Sequence, residues 1–208
     1  MGIKDRLASS QNRKDEQPNI ELALDIIATK NEKSIAELVE LLGSSKAVQN
    51  DSIKVLYEVG VLEPQLIEPH WNVFLQALQT KNNRLQWGAM TALNQIVRLN
   101  PEVIYKHLDI IMETVDKGSV ITRDQAVYLL IYLAGLEPYK VEAYELLREQ
   151  LLSCPTNQLP MYAEKALKVV DVHNKSGFTQ TLESRLPEVE KESKKKRILK
   201  VLDKVSKL

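Results

Sequence analysis

Ala89, Ala92, Leu93 and Ile96 fall at i, i+3, i+4 and i+7, a spacing that puts four apolar side chains on one stripe of an α-helix. The stripe returns. Thirty-seven residues earlier it reads Ser52, Val55, Leu56 and Val59, and at successive 37-residue steps it reads Ala126, Leu129, Leu130, Leu133 and then Ala163, Ala166, Leu167, Val170. A looser copy follows at Ile198, Val201, Leu202 and Val205, with Leu202 35 residues after Leu167. The first column is small in the four regular copies and the later columns are mostly larger aliphatics, a pattern that lets neighbouring helices approach closely and then fills the space between them.

Each of these helices has a partner upstream. Leu38 and Leu41, Leu75 and Leu78, and Met112 and Val115 keep the same 37-residue step; Leu152 continues one column and Glu149 interrupts the other. Between the partners lie Gly43-Ser44-Ser45, Thr80-Lys81-Asn82-Asn83, Asp116-Lys117-Gly118-Ser119 and Ser153-Cys154-Pro155-Thr156-Asn157. These are turn chemistries, so every unit reads as a helical hairpin. Leu62-Glu63-Pro64, Leu99-Asn100-Pro101 and Leu136-Glu137-Pro138 punctuate the units at the same interval. Proline is favoured in a helix's first turn, where its missing N–H needs no partner, so each proline is expected at or just before a unit's first helix. The leucine two residues earlier is expected to tuck against the core. Ile20, Ala23, Leu24 and Ile27 mark one more amphipathic helix after a polar break at Asp15 to Asn19, with a short helix over residues 3 to 10 before it. This start reads as an N-terminal cap, frayed over its first dozen residues.

A fixed period of this length is the mark of stacked supersecondary units. The predicted fold is therefore all-α: a right-handed α-α superhelix, a solenoid of about five helical hairpins with an N-terminal cap. One domain over 1–208 is expected, with capping helices at 1–31, regular repeats at 32–190 and a C-terminal capping helix at 191–208. The run Leu38-Val39-Glu40-Leu41-Leu42 through Val48-Gln49-Asn50-Asp51-Ser52 to Val59-Gly60 resembles a HEAT repeat. Gln86-Trp87-Gly88-Ala89 through Ile96 and Arg123-Asp124-Gln125-Ala126 through Leu133 look like further copies, and Arg123 is the best echo of the family's Asp and Arg pair. Armadillo repeats are the near alternative, sharing the superhelix but adding a third short helix per unit.

Composition agrees and narrows the function classes. Lys plus Arg equals Asp plus Glu at 28 each, so no global field draws the chain to nucleic acid or anionic lipid. The longest apolar stretch, Ala126 to Ala134, is far short of the roughly 20 residues of a membrane span. A single cysteine, Cys154, and a start without an apolar signal core point to a cytoplasmic protein.

Candidate chemistry is sparse. His70, His107 and His173 have no second ligand at metal spacing, and Cys154 has no flanking base or redox partner. No phosphate loop, dinucleotide fingerprint or nucleophile elbow occurs, so neither catalysis nor a cofactor is expected. The resemblance implies instead that the second helix of each hairpin lines a concave face. Positions flanking the core columns would then form a stripe: Asp51, Lys54 and Glu58; Gly88, Thr91 and Gln95; Gln125, Tyr128 and Tyr132; Tyr162 and Lys165. Tyrosine offers a large apolar ring with a polar tip at little entropic cost. Tyr128, Tyr132, Tyr162, Gln95 and Lys165 are accordingly the candidate contacts for a protein or peptide segment, with interleaved packing of the tyrosines as the competing role. The lysine-rich end, Lys191 to Lys207, reads as the solvated face of a terminal cap. The overall expectation is a non-catalytic protein-interaction scaffold or adaptor. The alternative is a nucleic-acid-binding solenoid related to alkylpurine DNA glycosylases, for which Trp87 with Asp124 is the one pairing that invites comparison.

Overall fold

The computed structural model describes Gly2–Leu208. Those residues contain no β-strand and form twelve α-helices. In chain order they are α1 (Gln17–Thr29), α2 (Glu32–Leu41), α3 (Lys46–Leu62), α4 (Trp71–Ala77), α5 (Asn83–Ile96), α6 (Pro101–Tyr105), α7 (Leu108–Lys117), α8 (Val120–Ala134), α9 (Lys140–Ser153), α10 (Leu159–Ala166), α11 (Lys175–Arg185) and α12 (Glu192–Ser206). The all-α reading holds, and the hairpins α2/α3, α4/α5, α7/α8, α9/α10 and α11/α12 correspond to the five copies read from the periodicity. Contacts divide the chain into two compact units, Met1–Ala126 and Val127–Leu208.

In the first unit the second helices stack directly, α1 on α3 and α3 on α5, while α2 and α4 pack against α3 and α5. The repeated columns are its core: Ser52, Val55, Leu56, Val59, Ala89, Ala92, Leu93 and Ile96 are all wholly buried. The small column has a physical reason. A Cβ on Gly88, one residue before Ala89, would lie 2.6 Å from Ile53 Cγ1, so the Ile53 side chain of α3 rests directly on the α5 backbone there. Ser52 stands where the other regular copies carry alanine, and its buried hydroxyl has no hydrogen-bond partner among the described residues. The column selects for size and not for chemistry.

Pro101 opens α6 with Asn100 as its N-cap, Pro64 opens a 3-10 turn at Pro64–Leu66, and Pro138 lies in the turn before α9. The prolines therefore sit where expected; of the leucines, Leu136 is half-buried but the other two are exposed. Leu62 and Leu99 are 60% and 49% exposed. Leu62 ends α3 and Leu99 lies in the turn after α5, both beyond the buried stripes, which close at Val59 and Gly60 and at Ile96 and Val97.

The N-terminal cap also differs from expectation. Its stripe is Asn19, Leu22, Ala23 and Ile26, all buried, while Leu24 is half exposed. The face is thus one residue earlier than the apolar residues suggest, with a buried asparagine at the small position. Residues 4–11 are tied down as well. Two 3-10 turns, Lys4–Arg6 and Ser9–Gln11, bring Leu7 and Ala8 into the core, and the Ala8 N–H donates to Asn19 Oδ1 at 3.0 Å.

In the second unit α9 packs on α11, and α10 and α11 pack on α12. Here Leu152 is exposed. Glu149 cannot enter the core, so α9 buries Ala143, Tyr144, Leu147 and Leu151 instead. Arg185, at the end of α11, is buried and closes the C-terminus of α9. Its guanidinium donates to the carbonyls of Leu151 and Cys154 at 2.8 Å each and of Leu152 at 2.5 Å, while Nε reaches Glu188 at 2.8 Å. Carbonyls in the last turn of a helix have no internal donor and carry negative dipole, so a buried cation is stable there. Tyr144 donates its hydroxyl to the Asn174 carbonyl at 3.2 Å. Burial, reinforced by the charge of Glu145, pushes that hydroxyl up to about 12.

Two outcomes follow for stability. Ser52→Ala removes an unpartnered buried hydroxyl and should raise the unfolding free energy measured by urea titration by about 1 kcal/mol; a loss of stability would contradict the small-column account. Tyr144→Phe should cost about 1 kcal/mol at neutral pH. Because the folded-state value lies above that of an exposed tyrosine near 10, Tyr144 contributes its full stability below pH 10 and loses it as pH rises toward 12. The gap between variant and wild type should therefore close over that window in parallel urea titrations.

Candidate partner-binding face

The stripe positions occupy the second helices, and what they touch differs between the two units. In the first unit they are already engaged by the chain's own N-terminal segment. Asp51 on α3 accepts the Ser9 N–H at 2.7 Å through Oδ2 and the Asn19 side-chain amide at 2.8 Å through Oδ1. One turn on, Lys54 is buried, with its ammonium 3.1 Å from Glu16 and 2.5 Å from Glu58. Glu16 also pairs with Arg84 in the first turn of α5. A single carboxylate preceding α1 thus bridges the next two second helices.

Lys54 also sits over the Tyr57 ring, 5.0 Å from its centroid. Burial alone would lower its pKa, but hydrogen bonds to Glu58 and Tyr57 outweigh that and hold the ammonium above its ordinary range. The cation therefore stays charged at neutral pH. Tyr57 in turn meets Trp87 of α5, with ring centroids 5.5 Å apart and planes tilted by 47°. Trp87 is half-buried as an inter-repeat packing residue, while Asp124 on α8 is also half-buried.

Gly88 is enclosed by Ile53, Thr91 returns its hydroxyl to the Trp87 carbonyl at 2.9 Å, and Gln95 is half-buried beside Gly60. Gln125 accepts the Asn94 side-chain amide at 2.8 Å, tying α5 to the start of α8. Much of the polar stripe in this unit is therefore spent on internal bonds.

The second unit presents a different face. Tyr128 and Tyr132 on α8 are half-buried, and Lys165 on α10 is exposed with its ammonium 5.9 Å from the Tyr128 ring centroid. The Tyr128 hydroxyl lies 3.5 Å from Met161 Sδ. Tyr162 is wholly buried and is among the largest core side chains, so it packs and offers no surface to a partner. Its hydropathic position was ambiguous, because tyrosine suits both a contact stripe and a helix interface. The candidate set thus comes together in part: Tyr128, Lys165 and Met161 form one cluster, Tyr132 and Gln95 remain partly accessible on their helices, and Tyr162 lies inside.

On α12, Ile198, Val201 and Val205 are buried and the cations face outward, as read from the sequence. Arg197 makes a two-pronged pair with Glu164 of α10 at 2.7 and 2.6 Å. This cross-repeat pair had no sequence signal beyond its 33-residue separation.

Neither a family model nor any curated protein sequence matches the chain. Solved structures do. An engineered protein determined by structural genomics covers 100% of both chains at 19% identity with a TM-score of 0.62. A designed armadillo repeat protein covers 98% of both chains at 15% identity with a TM-score of 0.57. The fold is that of an armadillo-like helical repeat protein.

The remaining chemistry is structural. His107 immediately precedes α7 between two short helices, where its ring stacks on Trp71 at 5.3 Å and its Nδ1–H donates to the Val103 carbonyl at 2.8 Å. Cys154 is buried with its thiol 3.7 Å from the Leu151 carbonyl. No group of three potential metal ligands converges among the described residues, and no helix there is long and apolar enough to cross a membrane.

Removing the Asp51 carboxylate leaves the Ser9 N–H and the Asn19 amide without their acceptor. Asp51→Ala should cost about 2 kcal/mol and speed amide exchange at Ser9 selectively. Unchanged Ser9 protection would show that the N-terminal segment is held by its apolar anchor Leu7 alone.

Proposed function

We propose that this protein is a non-catalytic interaction scaffold, a single armadillo- or HEAT-like domain working in the cytoplasm, whose second-helix face receives an extended segment of a partner protein. The observation that carries the reading is the contact at Asp51, Lys54 and Arg84. There, side chains projecting from successive second helices hold a length of polypeptide by one backbone N–H, one side-chain amide and one carboxylate. The same stripe in later repeats offers Gln95, Tyr128, Tyr132 and Lys165 for an equivalent role. Each repeat would add a few side chains, so affinity would accumulate along the array.

The resemblance is mixed at the level of the single repeat. The unit starting at Pro101 has a short α6 before α7 and α8, in the armadillo manner, whereas α9/α10 is a two-helix unit as in HEAT repeats. Between the two functional classes considered, the charge on the stripe favours protein over nucleic acid. Asp51, Glu58 and Glu16 place carboxylates on the first unit's face, where a phosphate backbone would be repelled. Trp87 is occupied with Tyr57, which supports packing over insertion into a duplex.

The test replaces Gln95, Tyr132 and Lys165, one at a time, with a photo-cross-linking phenylalanine derivative and irradiates the purified variants in extract. A shared cross-linked polypeptide at two or more of these positions, lost when Tyr128→Ala is added, is the expected result. Cross-linking confined to an unrelated control position such as Val141 would overturn the reading.

A further inference from the structure

The column that supplies Lys54 in the first unit returns, at the 37-residue period, as Thr91, Tyr128 and Lys165, and 35 residues later as Lys200. At Lys54 the chain shows what this position accepts: the carboxylate of Glu16, a residue outside the helix that carries the lysine. Lys165 and Lys200 belong to α10 and α12, which pack together in the second unit. Both are exposed, as is Lys204 one turn beyond Lys200.

Two carboxylates lie among these cations, and each is paired, Asp203 with Lys207 and Glu164 with Arg197. Glu164 is taken up by Arg197, and its carboxyl is held below the usual range by that hydrogen bond first, with burial opposing, and then by the charges of Arg197, Lys204 and Lys165. Lys204 and Lys165 both bear on Glu164, and Lys165, Arg197, Lys200 and Lys204 outnumber Glu164 and Asp203, so the group is net positive. Beside them the Tyr128 ring and the Met161 thioether form an apolar shoulder under Lys165. A cation next to an apolar surface fits a side-chain carboxylate followed by an apolar residue. A uniform phosphate chain has no use for the shoulder.

We infer that the α10–α12 face of the second unit is a docking site for an acidic polypeptide segment, its carboxylates seated on Lys165, Lys200 and Lys204 and an apolar side chain against Tyr128 and Met161. The inference rests on the scaffold reading above and supplies the chemistry of the partner. Glu16 on Lys54 and Arg84 is its intramolecular counterpart in the first unit.

The probe is a fluorescein-labelled peptide repeating Glu-Ser-Leu-Glu, titrated with the full chain at low salt and followed by fluorescence anisotropy. Saturable binding is expected, weakened at least about tenfold by Lys165→Glu with Lys200→Glu. Lys33→Glu with Lys46→Glu makes the same charge change on exposed positions of the first unit and should leave affinity within about twofold. Circular dichroism confirms that both pairs keep their helix content, and Lys204→Gln provides a milder variant expected to weaken binding in the same direction. Absence of peptide binding, equal loss in both double variants, or tighter binding of an oligothymidylate of matched charge would each overturn the inference. If the peptide fails while cross-linking at Tyr132 persists, the acidic-segment assignment falls and the scaffold reading stands. If both fail, the two fall together.

Discussion

The close approach of successive second helices is the constraint on which the rest of the structure depends. Ser52, Ala89, Ala126 and Ala163 are wholly buried at one position of the repeat, and glycine precedes one of them where the Ile53 side chain of α3 rests on the α5 backbone. Helices packed this closely bring their flanking positions within side-chain reach of one another. That is why one carboxylate can span two helices at Lys54 and Arg84, and why Arg197 can meet Glu164 across α10 and α12. A larger residue in the column would separate the helices and with them the polar contacts that make the face chemically distinct.

The two units use the same stripe differently. In the first, asparagine, aspartate, lysine and glutamate are consumed internally and hold the N-terminal cap on the stack. Residues 4–11 and the buried Asn19 cover the outer side of α3's stripe there. In the second, α12 packs on α10 through Ile198, Val201 and Val205, with the Arg197–Glu164 pair beside them, and leaves most of its lysines outward. The N-terminal segment is fastened by buried polar bonds, and α12 by a hydrophobic stripe with the Arg197–Glu164 pair at its edge. Buried polar bonds of the first kind are directional, so they fix the register of the cap as well as its stability.

Much of the fold was legible because the core columns depend only on helical period and side-chain size. Val55, Leu93, Leu130 and Ala166 were identifiable from spacing and are all buried. The errors share a cause. Leu24, Leu62, Leu99 and Leu152 are apolar and were assigned inward, yet each is about half exposed, because burial is decided by where a helix ends or rotates and not by the residue's own hydropathy. Asn19 is the converse: a polar residue inside, tolerated because both ends of its amide are bonded. Arg185 had no sequence signature at all, since its partners are carbonyl groups of a helix end more than thirty residues away. At the candidate face, Tyr128 and Lys165 were chosen from register and do meet, whereas Tyr162 was chosen on the same grounds and is buried.

By itself, then, the sequence determined the helical class, the 37-residue unit and the apolar columns, because periodicity is a one-dimensional property that survives without coordinates. Tertiary structure alone decided which polar residues are spent on internal bonds and which remain available. Asp51, Lys54, Gln125 and Tyr162 occupy the same stripe as Lys165 and Tyr128, and nothing in their spacing separates the two groups. The difference comes from what lies opposite each one: the N-terminal segment facing α3, Asn94 facing Gln125, and open surface at Lys165.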